Sequence, residues 1–143
     1  MSKKIIGRRD IADFPNLGLA HVDIKIDTGA YTSSIHCDQI EEINNELHCR
    51  FLNPKDKQSN HKHLVFKDYK HIKVKSSNGI VQHRYQIKST IQLFGKTYKI
   101  SLSLADRSSM KNPVLIGRKF LNKKFIVDTD LEYLSHNTTH HEH

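Results

Sequence analysis

The chain lacks any run of the ~20 apolar residues that a transmembrane helix needs, so no membrane span is expected. Its basic start, Met1-Ser2-Lys3-Lys4-Ile5-Ile6-Gly7-Arg8-Arg9, has no apolar segment behind it, so no secretory signal is expected. Two cysteines, Cys37 and Cys49, are too few for a disulfide scaffold. One bridge between them is conceivable, but free thiols in a reducing, cytoplasmic compartment are the expectation. Tryptophan is absent, aromatic residues are 8% of the chain, and no recognised nucleic-acid-binding motif occurs, which argues against nucleic acid as the partner. There is no Gly-x-x-x-x-Gly-Lys-Ser/Thr phosphate loop and no His-Glu-x-x-His pair.

What is present suits one soluble domain. The 143 residues are 36% apolar and 27% charged, which is a globular composition. A domain of this size buries roughly 68–70% of its unfolded surface and needs neither metal nor disulfide to fold. Residues 1–136 read as that domain, and 137–143 as a disordered polar tail. Lysine and arginine outnumber aspartate and glutamate by 23 to 15, a net charge of +8. Seven lysines fall between Lys55 and Lys75 against only Asp56 and Asp68. Such a stretch is either a polyanion-attracting surface or simply a solvated basic face.

The local pattern is that of strands. Ala20, Val22, Ile24 and Ile26 alternate with His21, Asp23, Lys25 and Asp27. Leu47, Cys49 and Phe51 alternate with His48 and Arg50. Ile72 and Val74 lead to Asn78-Gly79 and then to Ile80 through Ile87, a hairpin signal. Ile91 and Leu93 lead to Gly95 and then to the alternating Tyr98, Ile100, Leu102 and Leu104, a second hairpin. Val114-Leu115-Ile116 stops at Gly117, and Phe125 to Asp128 reads as a last strand. One or two helical turns are expected near Asp38–Ile43 and one after Gly117. The expected class is therefore all-β, a small barrel or sandwich.

One constellation carries chemistry. The Val22–Ile26 strand runs into Asp27-Thr28-Gly29-Ala30, where Gly29 allows a tight turn or a close approach. Taken alone, such a triplet is usually an ordinary turn whose Asp caps its own backbone. Its companion is Val114-Leu115-Ile116-Gly117-Arg118-Lys119-Phe120-Leu121, an apolar strand that ends at glycine and enters a helical turn.

This layout resembles the retropepsins: Asp-Thr-Gly early, a glycine-tipped hairpin between, and apolar-apolar-Gly-Arg-x-x-Leu late. More closely, it is similar to the retropepsin-like group labelled ATP-dependent zinc proteases. These are bacterial proteins, some associated with the ligase that adds glutamates to a ribosomal protein. The resemblance spans about residues 5–134. It rests on Ile6-Gly7-Arg8-Arg9-Asp10, Leu17-Gly18-Leu19, Lys25 to His36, Ser76-Ser77-Asn78-Gly79, Arg84, Leu104-Ala105-Asp106-Arg107, Met110, Pro113 to Leu121 and Val127-Asp128. Tyr31 stands where that group would have arginine.

The resemblance implies a closed acid-protease barrel with one short C-terminal helical turn, and an aspartic mechanism. Two carboxylates about 3 Å apart share one proton. One activates water while the other polarises the scissile carbonyl. The chain has a single Asp-Thr-Gly, and Asp128-Thr129-Asp130 lacks the glycine, so a dyad needs Asp27 from a homodimer partner. By the resemblance, Thr28 bonds across that dimer, Gly29 lines the substrate floor, and the Asn78-Gly79 hairpin is a flap. Arg84 and Arg107 lie on family motif positions. They either capture substrate carboxylates by bidentate bonds or are ordinary exposed arginines. No cofactor is expected. The label's zinc could use only His61-x-His63 joined by His71, in a basic loop that repels cations. A cysteine nucleophile beside His36 or His48 is disfavoured, because neighbours in a strand point to opposite faces. Ser33 and Ser34 read as turn or barrel residues. The expected function is a peptidase for acidic, glutamate-rich peptides or glutamyl bonds. The alternative is a module that binds such tails without cutting them.

Overall fold

A computed structural model describes residues 2–51, 62–75, 78–105 and 112–140. In chain order the strands are β1 (Lys4–Ile6), β2 (Arg9–Phe14), β3 (Leu19–Ile26), β4 (Ser33–His36), β5 (Asp38–Ile43), β6 (Glu46–Phe51), β7 (Lys62–Phe66), β8 (Lys70–Lys75), β9 (Val81–Leu93), β10 (Lys96–Ala105), β11 (Val114–Ile116) and β12 (Phe125–Val127). Helix α1 (Arg118–Leu121) lies between the last two strands, and α2 (Leu134–His140) follows them. Six strands pair in the order β10-β4-β11-β3-β2-β9, and β9 pairs back to β10, so the sheet closes into a barrel. Closure removes the unpaired edges that would recruit other chains. Outside the barrel, β8 extends the first half of β9, β5-β6-β7 form a separate three-stranded sheet, and β1 runs parallel to β12. Among the described residues no helix is long and apolar enough to cross a membrane.

Alternation builds the core. Leu47, Cys49 and Phe51 are fully buried, as are Ile87, Ile91 and Leu93 on β9 and Leu102 on β10. The rule fails once on β3. Its inward row is Leu19, Val22, Ile24 and Ile26, while Ala20 is exposed. A bulge explains this: His21 has a positive φ of 56°, the β2–β3 register shifts between Ala12 and Phe14, and the His21 N–H donates to Asp13 Oδ1 at 2.8 Å. Phe14 and Leu19 can then face the core together.

The Gly95 hairpin forms with Phe94 and Gly95 both at positive φ and Leu93 opposite Lys96, a two-residue turn that suits the strand twist. The helix expected at Asp38–Ile43 is instead β5, paired with β6. Ile40 and Ile43, three apart, mimic a helical face. The backbone turns at Gln39 (φ 52°) and reverses at Asn44-Asn45, again both at positive φ. The helical turn after Gly117 is α1. The sequence reading begins a tail at Asn137, whereas α2 continues to His140 and the Asn137 N–H bonds to the Tyr133 carbonyl at 2.9 Å.

The C-terminal segment is tied to the start of the chain. Asp10, fully buried on β2, accepts hydrogen bonds from the backbone N–H groups of Ile11, Ser135 and His136 at 2.8–3.0 Å. It thus serves the N-terminal turn of α2 from another element. Arg8 and Arg9 both reach Glu132, at 2.9 and 2.8 Å. A Cβ on Gly7 would collide with the Leu131 carbonyl, which accepts the Arg8 N–H at 2.7 Å. The Ile6-to-Asp10 motif is therefore a clasp for residues 128–136.

Candidate active site

The Asp27 turn is set by backbone bonds. As β3 ends, the Asp27 N–H donates to the Ile116 carbonyl at 2.8 Å, continuing the parallel pairing of β3 with β11. The Ala30 N–H closes the turn on the Asp27 carbonyl at 3.2 Å. The Gly29 N–H donates to Asp27 Oδ1 at 3.1 Å, which orients the carboxylate. A Cβ at Gly29 would stand 3.3 Å from that oxygen, a tight contact to which the carboxylate would have to yield by a few tenths of an ångström. Asp27 is half-buried, while Thr28 and Gly29 are exposed.

The second motif passes against the first. The Gly117 N–H donates to Ser33 Oγ at 3.0 Å, the Arg118 N–H to the Ala30 carbonyl at 2.9 Å, and the Lys119 N–H to the Tyr31 carbonyl at 2.9 Å. Arg118 Nη1 donates to the Thr28 carbonyl at 2.9 Å. Its guanidinium also lies 5.8 Å from the Tyr31 ring centre. A Cβ on Gly117 would come within 2.5 Å of the Thr32 carbonyl oxygen and 2.6 Å of that of Tyr31. These distances show why the chain has glycine there: the two backbones touch. Ser33, read from the sequence as a barrel residue, joins the halves through its buried hydroxyl. The Arg118 cation lies against the Tyr31 ring, so the positive charge at the turn comes from position 118.

Asp27 has no second carboxyl beside it among the described residues; its carboxylate accepts one hydrogen bond, from Gly29. Asp128 serves its own turn, its Oδ1 accepting the Asp130 N–H at 3.0 Å. Arg84 lies on β9 opposite Ile72, half-buried, and donates to Gln82 at 2.7 Å. Asn78 and Gly79 lie at the exposed tip between β8 and β9, with Gly79 at φ 84°. Arg107 and His61 lie outside the described residues.

The thiols are closed to substrate. Cys37 and Cys49 are free and completely buried, and contact with Cys49 together with burial pushes the Cys37 thiol well up. The donor set for zinc is also incomplete. His48 Nδ1 and His63 Nε2 are 3.4 Å apart, but His71 points to Glu42 at 3.5 Å. No group of three or more His, Cys, Asp or Glu among the described residues could hold a metal ion. Three or four such ligands make a protein zinc site, so the described residues do not fit the zinc in the label.

Sequence reasoning passed over one cluster. A cavity of about 550 Å³ is lined by Lys88, Lys99, Lys119 and Lys124 together with serine and threonine hydroxyls. These lysines are scattered along the chain, and only the register of β9, β10 and α1 gathers them.

Comparison with known proteins supports the retropepsin-like barrel. Residues 5–138 match the family model described as RimB-like, retropepsin-like aspartic endopeptidase RimB. A protein of Shewanella halifaxensis named "Probable alpha-L-glutamate ligase" is 35% identical over 138 residues, covering 89% of this chain and 29% of the relative. One of the same name from Desulfotalea psychrophila is 29% identical over 140 residues, covering 92% and 29%. The chain thus spans about three tenths of the length of these relatives. The crystal structure of a Legionella pneumophila protein of unknown function (DUF785) is similar with a TM-score of 0.72 and 26% identity, covering 94% of this chain and 99% of that one.

Proposed function

This chain belongs to the RimB-like family of retropepsin-like aspartic endopeptidases, and from that premise we propose that it is an aspartic-type peptidase completed by Asp27 of the partner subunit in a homodimer. The observation that carries this reading is the Asp27 turn itself: a carboxylate fixed by Gly29 and by the Gly117 crossing, with Thr28 and Gly29 exposed beside it. A two-fold axis through such a turn brings two identical carboxylates together. The ionised one takes a proton from water, and the water oxygen attacks the peptide carbonyl. The protonated one donates to the carbonyl oxygen, and the proton reaches the leaving amine as the tetrahedral intermediate collapses. The pair titrates as a unit. Thr28 bonds across the interface, Asn78-Gly79 tips the flap, and Arg84 and Arg107 meet substrate carboxylates.

The substrate class is an acidic peptide or glutamate-tailed protein, cut at peptide or glutamyl bonds. The excess of positive charge supports this, as does similarity to part of proteins named glutamate ligases. Free buried thiols suit a reducing compartment such as the cytoplasm.

The test is Asp27→Asn, assayed on a glutamate-tailed peptide alongside the solution mass. The native chain is expected to cleave and to approach twice 16.6 kDa as its concentration rises. Asp27→Asn should lose roughly 1,000-fold or more in rate with its melting temperature kept. Equal turnover in the variant overturns the mechanism. A monomer that binds the peptide and never cuts it supports the binding-module reading instead.

A further inference from the structure

We propose that Asn78-Gly79, at the tip between β8 and β9, is a self-modifying site, where the asparagine side chain closes on the glycine nitrogen and hydrolyses to aspartate and isoaspartate. Of the chain's asparagines, this is the one followed by glycine. The reaction needs an uncrowded attacking nitrogen, a backbone free to bend toward the side chain, and water. Glycine supplies the first two, because it carries no Cβ. The fold supplies the third. Asn78 and Gly79 are both exposed. Apart from its chain neighbours, no atom of a described residue lies within 4 Å of where a Gly79 Cβ would stand. Gly79 holds φ 84° outside the β8–β9 ladder, which ends with Lys75 opposite Val81. The other asparagines show what the fold withholds elsewhere. Asn112 precedes Pro113, which has no N–H to give. Asn16 lies in the 3-10 turn Pro15–Leu17, and Asn137 lies inside α2. Asn45 is followed by Glu46, which β6 already pairs with Ile43.

The chemistry balances with water as the one co-reactant. The Gly79 nitrogen gives up its proton and attacks the Asn78 side-chain carbonyl carbon. That proton ends on the displaced amide nitrogen, which leaves as ammonia, and a cyclic imide remains. One water opens the imide at either carbonyl. Opening on one side restores the main chain and leaves aspartate. Opening on the other leaves isoaspartate, with the main chain routed through the former side chain. The charge around the tip favours the first step. Residues 69–105 contain no aspartate or glutamate, while Lys70, Lys73, Lys75 and Arg84 make the hairpin cationic. A positive field stabilises the nitrogen as its proton leaves. The product is therefore the first acid in that stretch, set at the tip that the peptidase reading assigns to the flap. The modification itself does not depend on that reading.

The experiment incubates the full chain at pH 8 and follows by mass the tryptic peptide of residues 76–84, which carries the site. A gain of about 1 Da is expected at Asn78, shared between two chromatographic forms, aspartate and isoaspartate. Peptides that hold Asn16, Asn45 and Asn137 should stay unchanged over the same period. Because the tip is open, Asn78 in the folded chain should convert within about three-fold of its rate in the urea-unfolded chain. Gly79→Ala should slow conversion about ten-fold or more, since the methyl crowds the nitrogen and resists φ 84°. Asp27→Asn should convert at the native rate, which separates this outcome from the fate of the peptidase reading. An Asn78 that converts only when the chain is unfolded overturns the proposal. So does conversion no faster than at Asn137, or equal conversion in Gly79→Ala.

Discussion

The Asp27 turn and the β5–β6–β7 sheet lie at the two ends of β4, and they are held in opposite ways. Around Asp27 the constraint is backbone on backbone. Arg118 and Lys119 donate main-chain N–H groups to Ala30 and Tyr31, and Gly117 leaves no room for a methyl group. The small sheet buries Leu47, Cys49 and Phe51, but its rim is joined by side chains. Arg50 clasps Asp38, and Glu42 receives Tyr69 and His71 from beyond β7. Main-chain contacts fix position to a fraction of an ångström, which a reacting carboxylate requires. Side-chain contacts between exposed groups tolerate rearrangement and contribute little each.

The harshest way to break the contrast is Gly117→Ala. The new methyl would lie 2.5 Å from the Thr32 carbonyl oxygen, and neither backbone can yield alone. The expected loss is at least about 3 kcal/mol, a large share of the ~5–15 kcal/mol that holds a domain folded. Urea unfolding at neutral pH measures it. A loss below 1 kcal/mol would show that the crossing is soft, and the contrast would fail.

Arg50→Ala makes the corresponding cut in the small sheet. It removes a bidentate pair with bonds of 2.8 and 2.7 Å between side chains 28% and 24% exposed. The expected cost is a small drop in melting temperature, well below that of Gly117→Ala, with the Asp27 turn unaffected and any peptidase rate retained. A matching collapse of activity would mean that the sheet positions the turn.

These cases also show what the sequence could disclose. The barrel was legible because alternation survives wherever a strand has one wet face, as on β6 and β10. The Gly117 motif was legible because close backbone approach demands glycine there, and the Asp27 triplet because its residue order matches a known family pattern. Strand β5 was not, since an exposed edge strand with a turn at Gln39 loses its period of two. Leu19 was missed as a core residue because a bulge adds a residue that no pattern marks. The lysine-lined cavity was invisible, because Lys88, Lys99, Lys119 and Lys124 meet only through strand register. The role of Asp10 as a cap was hidden for the same reason: its partners are 125 and 126 residues away.

A smaller effect sharpens the comparison through pH. Hydrogen bonding to Arg9, aided by Arg8, holds the Glu132 carboxyl below its ordinary 4.5. A carboxyl depressed in the folded state stabilises above its unfolded value, and that gain is lost as pH falls through the lowered one. Glu132→Gln should therefore melt slightly below the native chain at pH 7, and the two curves should converge once the pH has fallen below that lowered value. Parallel curves at every pH would show that the clasp between chain start and chain end works without this charge.

The mildest test sits on the rim of the small sheet. The Tyr69 hydroxyl donates to Glu42, and that bond, with partial desolvation and the carboxylate's charge, pushes its pKa up to about 12 from 10. The proton is held because the carboxylate accepts it and disfavours a second negative charge nearby. For a phenol the sign is that of any raised pKa. The neutral form is favoured in the folded state, so the contribution is complete below the unfolded value near 10 and disappears as pH rises from 10 toward 12. Absorbance of tyrosinate at 295 nm reads the ionisation directly. Tyr69 is expected to ionise late in the native chain. Glu42→Ala should bring it back toward 10, with almost no change in the neutral-pH melting temperature because the pair is exposed. If the late tyrosine persists in Glu42→Ala, the link between Glu42 and Tyr69 is not what joins the small sheet to the segment leading into β8. The rim would then be held by packing, as the barrel is.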